Sequence, residues 1–71
     1  MEEVLEALEE ARRIRRERAD WQFISSLPPR LRAAVKLFIE TGDIRLAQSI
    51  SGLDYDDFRE LLRKARVPVV L

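Results

Sequence analysis

The chain has 71 residues, enough for one small domain that buries little surface and gains from a partner, a metal or a disulfide. It holds no Cys and no His, which excludes disulfide frameworks, structural zinc sites, thiol nucleophiles and imidazole bases together, and leaves oligomerisation as the expected support. Thirteen basic residues balance 13 acidic ones, so a strong nonspecific grip on nucleic acid, which requires Lys and Arg to displace counterions, is not expected from overall charge, although a local basic face remains open.

Residues 1–24 predict one long amphipathic helix, rich in Glu, Ala, Leu and Arg and free of Gly and Pro from Glu2 to about Ile24. Val4, Ala7, Ala11, Ile14, Arg18 and Trp21 follow steps of three and four, with Leu5 and Leu8 widening the stripe. Glu dominates the start, and Arg12, Arg13, Arg15, Arg16 and Arg18 dominate the middle, an order that suits the helix dipole. The charge run reads as a solvated face, the alternative being a basic surface for phosphate or an acidic partner. The acidic start (Glu2, Glu3) is unlike a signal peptide and no apolar run approaches a membrane span, so a cytoplasmic, non-membrane protein is expected. Many Glu and Arg with no Asn fit a thermophile source.

After the apolar cluster of Trp21, Phe23, Ile24 and Leu27, Pro28 forces extended geometry on Leu27, and Pro29 suits the first turn of the next helix. That helix is expected from about Pro29 to Thr41, with Leu31, Ala34, Val35 and Phe38 buried, Leu37 and Ile39 widening the face, and Gly42 as its C-cap. Asp43 can cap a following helix that buries Ile44, Ala47 and Ile50, and Ser51-Gly52-Leu53 reads as a turn. Asp54, with Asp57 three residues on, can cap a last helix that buries Phe58, Leu61, Leu62 and Ala65. Val67-Pro68 ends it, and 67–71 form an apolar tail that either folds back on the core or adds to a partner. The expected fold is therefore all-α: a long N-terminal helix (1–24), a tri-helical helix-turn-helix core (29–66) and a short extended C-terminal tail (67–71).

In a DNA-reading unit the second helix would present Asp54, Tyr55, Asp56, Arg59, Glu60 and Arg63, so carboxylates would approach phosphate. Arg59, Arg63 and Arg66 form a more suitable phosphate stripe, helped by Arg45 and Gln48, with Tyr55 near bases. No Gly-rich phosphate loop or nucleophile–base pair is present; Asp54, Asp56 and Asp57 could hold Mg²⁺ but read as cap and dipole partners, so no enzyme activity, metal or cofactor is expected.

Two segments carry a family resemblance: AVKLFIETGDIRLAQSISGL (34–53), with its helix, Gly break, Ala-containing helix and Gly-Leu turn, and DYDDFRELLRKARVPV (54–69), with its acidic helix start, Phe, paired Leu and closing Pro-Val. This half of the chain resembles the small prokaryotic VapB-like antitoxins of helix-turn-helix type that are encoded beside PIN-domain ribonucleases. It differs in Gln48 and Ser51, where small or apolar residues are usual. The resemblance implies neutralisation of a PIN-type toxin or binding of operator DNA, by a homodimer. Arg13 or Arg16 would then pair with acidic nuclease residues, and Trp21, Val69, Val70 and Leu71 would supply apolar contacts. The alternatives are a helix-turn-helix transcriptional regulator on double-stranded DNA, and a structural oligomerisation module paired through the N-terminal helix.

Overall fold

A computed structural model describes residues 2–69, and these are all-helical: α1 (Glu2–Arg18), α2 (Trp21–Ser26), α3 (Pro29–Thr41), α4 (Ile44–Ser51) and α5 (Tyr55–Lys64). Helix α3 is central, touching α1, α2 and α4, and α4 in turn packs on α5. The core is Ile24, Val35, Phe38, Ile39, Phe58 and Leu62, with Ala34, Ala47, Ala65 and Val67 closing it.

The starts and stops follow local chemistry. Leu27 is extended before Pro28, and Pro29 opens α3. Gly42 ends α3 in the left-handed region, at φ 71°, with its N–H donating to the Phe38 carbonyl at 2.8 Å. Asp43 caps α4 by accepting from Leu46 N–H at 3.0 Å, and Asp54 caps α5 by accepting from Asp57 N–H at 2.8 Å. Gly52, at φ 75°, ends α4.

The expected helix from Glu2 to Ile24 is instead two helices. Asp20 leaves the helical path and caps α2 through a 3.0 Å bond from Phe23 N–H, while its own N–H donates to Ala65 O at 2.8 Å, beyond the end of α5. A contact across 45 residues thus breaks a segment whose local propensity is continuous helix.

The expected seam of α1 is corrected with it. No residue of α1 is buried; Ala11, Ile14 and Arg15 are half-buried against the body, and Val4, Leu5 and Leu8 are exposed. Ile50, expected in the core, is also exposed, because α4 is short and turns its Ala47 face to α3. Ile39, expected only to widen the face of α3, is fully buried. The described part of the tail folds back: Val67 is buried and Val69 half-buried on the core, while Val70 and Leu71 lie outside the described residues.

Candidate functional site

The end of α5 supplies the most distinctive local feature. Arg66 N–H donates to Arg63 O at 3.0 Å and Val67 N–H to Leu62 O at 2.9 Å, the paired bonds of a Schellman ending. Such an ending places its C′ residue in the left-handed region, a position that favours glycine, yet here it is Arg66 at φ 58°. Among the described residues it is the one non-glycine residue with positive φ.

Arg66 lines a groove of about 510 Å³ together with Arg18, Arg59 and Arg63, with Asp56 and Glu60 on the same wall and Val67, Pro68 and Val69 as its apolar side. Arg59 lies 5.8 Å from the centroid of the Tyr55 ring, a cation–π distance. Arg63 is forked onto Glu60, its Nε donating at 3.1 Å and its Nη2 closer still. That hydrogen bond holds Glu60 below, and Arg63 above, its ordinary pKa. Four guanidinium groups against two carboxylates leave the groove with a positive excess beside an apolar strip. This arrangement can bind an acidic segment that also carries apolar side chains.

The residues singled out from sequence divide between this groove and other places. Arg59, Arg63, Arg66 and Val69 line it, and Tyr55 braces Arg59. Arg45 is exposed on α4 outside the groove, and Gln48 is half-buried, its Nε2 donating to Leu53 O at 3.3 Å in the turn. Arg13 pairs with Glu10 at 3.4 Å along the exposed side of α1. Arg16 is held by both oxygens of Glu40, at 2.9 and 2.6 Å, and Trp21, 41% exposed, donates from Nε1 to Arg16 O at 2.8 Å. Arg18, which its spacing places among the apolar residues of the stripe on α1, lines the groove, because α1 ends there beside the end of α5.

Two further arginines hold the frame. Arg15 Nε donates to Ile39 O at 2.9 Å near the end of α3, over Phe38 and against Gly42. Burial is the main reason its pKa lies below the ordinary arginine value. Arg30 Nε donates to Ile50 O at 2.8 Å near the end of α4, against Gly52. Each places a cation on the negative end of a helix dipole. Nothing in the charge pattern separates them from their solvated neighbours.

Among the described residues no group of three or more acidic side chains is disposed to hold a metal ion, and no helix is long and apolar enough to cross a membrane. Compared with protein-family models, with curated proteins and with solved structures, the chain finds no match.

Proposed function

We propose that this chain is an antitoxin-like binding protein of the prokaryotic cytoplasm. In this reading α3, α4 and α5 serve as a helix-turn-helix core, and the arginine groove along α5 takes an acidic and apolar segment of a protein partner. The family resemblance of residues 34–69 suggests a PIN-type nuclease as that partner. The observation that carries the reading is Arg66: an arginine in a conformation that favours glycine, among the residues that line the groove. Backbone strain kept at such a residue points to a use for its side chain.

A protein segment suits the groove better than a phosphate backbone does. Asp54, Asp56 and Asp57 occupy the start of α5, where a reading helix would meet base edges. The half-buried apolar strip of Pro68 and Val69, backed by Val67, has a use against side chains and none against phosphate.

Co-expression with the product of the neighbouring gene tests the reading. Co-purification is expected, with the retained partner reduced about tenfold by R59A/R63A, since charge-assisted pairs at a desolvated contact are worth on the order of 1–3 kcal/mol. A wild-type chain that neither retains nor neutralises that product refutes it. Salt-sensitive binding to a promoter-sized duplex, lost on the same substitutions, would favour the DNA-binding regulator instead.

A further inference from the structure

The neutrality of the chain conceals a separation of charge. Residues 2–10 carry Glu2, Glu3, Glu6, Glu9 and Glu10 and no basic residue, so in a chain with 13 charges of each sign the remainder holds five positive charges in excess. Every one of those nine residues is exposed. Val4, Leu5 and Leu8 are 62%, 60% and 57% exposed and gather on one side of the helix, so this half of α1 is both acidic and apolar. It projects because α1 is fixed to the body only through its second half, by Arg15 on Ile39 and Arg16 on Glu40. At 1.5 Å per residue the projection is roughly 13 Å long. As the exposed end of the 17-residue α1, it leaves its apolar side open to a covering surface.

The matching surface is at the other end of the same helix. The groove of Arg18, Arg59, Arg63 and Arg66 has the opposite charge and an apolar strip, the two properties that an acidic, leucine-bearing helix requires. A chain cannot fill its own groove in this way: Arg18 is eight or more residues along a continuous helix from residues 2–10, which puts that half of α1 roughly 12 Å or more away. We infer that the acidic N-terminal half of α1 from a second copy of this chain occupies the arginine groove. Antiparallel α1 helices allow the two exchanges to be reciprocal, which closes a two-fold dimer. Parallel helices would set glutamates on glutamates and arginines on arginines. The inference rests on the groove's capacity for acidic, apolar segments, as the proposed function does, and it makes self-association a competitor of the partner protein.

Sedimentation of the full-length chain, with no partner present, tests it. A dimer is expected at about 0.05 M salt, dissociating as salt rises towards about 0.5 M and the screening length contracts. Both L5Q/L8Q on the projecting helix and R59E/R63E in the groove should weaken it about tenfold or more. A mixture of E6K/E9K chains with R59E/R63E chains keeps one intact helix and one intact groove, and should form a mixed dimer that neither forms alone. Dilution of the wild-type ¹⁵N-labelled chain gives a measure free of substitutions: amide signals of residues 3–10, of residues 59–67 and of Val69 should move together. A monomer at low salt, or a dimer unaffected by R59E/R63E, overturns the inference. A chain that stays monomeric yet retains its partner protein overturns this inference alone and leaves the proposed function standing.

Discussion

Arg30 donates from Nε to the carbonyl of Ile50 at 2.8 Å and lays its guanidinium against Gly52, where an added Cβ would fall 2.8 Å from Cζ. One arginine from the first turn of α3 thus covers the turn between α4 and α5. Gly52 is therefore required twice, for φ 75° and for the approach of Arg30. G52A should cost about 1–2 kcal/mol from the left-handed backbone alone, and more once Arg30 is displaced. R30A should cost about 1 kcal/mol for the lost bond. In the R30A background the cost of G52A should fall, a coupling that urea unfolding of the four proteins in a double-mutant cycle would measure. Additive costs would show that the two residues do not act as a unit.

Arg66 gives the opposite expectation. At φ 58° glycine relieves the left-handed strain, though it adds freedom to the unfolded chain, so R66G should raise stability by about 0.5–1 kcal/mol. The same change removes a charge from the groove and, on the proposed function, should reduce retention of the partner protein. Stability gained at the expense of binding is the pattern of a residue kept for its side chain. A stabilised variant with undiminished binding would leave Arg66 without a function in the groove.

Asp20 marks where the sequence misleads. Residues 1–24 contain no helix breaker, and reading them as one helix is what local propensity dictates. The break depends on the Ala65 carbonyl, which accepts from Asp20 N–H, and on Ala19 being buried beside it; neither is visible in a single segment. D20A should cost about 1 kcal/mol for the cap, while D20N, which keeps an accepting oxygen, should cost less. Equal losses for the two would place the effect in the charge and not in the cap.

The same clasp explains why only part of the groove is legible beforehand. Arg59 and Arg63 share one side of α5 by spacing, Arg66 reaches the groove from beyond the helix end, and the caps Asp43 and Asp54 with Gly42 and Gly52 fix the elements around them. Arg18 joins the groove only because α1 stops where α5 ends, and Arg15 and Arg16 in their run of charges, like Arg30 after the prolines, take up specific acceptors that spacing does not distinguish. Periodicity reports which residues share a face; it does not report which of several arginines meets a carbonyl 20 residues away.

Glu40 sets an acid limb on stability. Its hydrogen bonds from Arg16, reinforced by that charge and by Arg12 and Arg15, hold its pKa below the ordinary carboxylate value. A carboxylate depressed in the folded state contributes stability above its unfolded pKa, about 4.3, and loses it as pH falls through the lower folded value. Thermal midpoints should therefore be flat near neutrality and decline below about pH 4.3, and E40Q should make that decline shallower without steepening it at higher pH. The contribution is small at so exposed a pair and should shrink with salt. An acid limb identical in E40Q would assign it to other carboxylates, of which Glu60, depressed by Arg63, is the next to test.

Ser51 is polar, yet it is buried at 4% exposure. Its hydroxyl donates to Gln48 O at 2.6 Å and accepts from Leu53 N–H at 3.0 Å, so the polar atom is satisfied by the turn that Gly52 opens. Gln48 donates to the Leu53 carbonyl across the same turn. The two residues thus form a small hydrogen-bonded lock across the turn. Alanine fits the space of Ser51 without a clash, so S51A isolates the bonds from the packing. It should cost about 1–2 kcal/mol, because the Leu53 N–H is left unpaired in a half-buried place. Hydrogen exchange at Leu53 should accelerate more than the global loss of stability accounts for, and exchange that follows global stability alone would mean the turn is held by Gly52 and Arg30 without the serine.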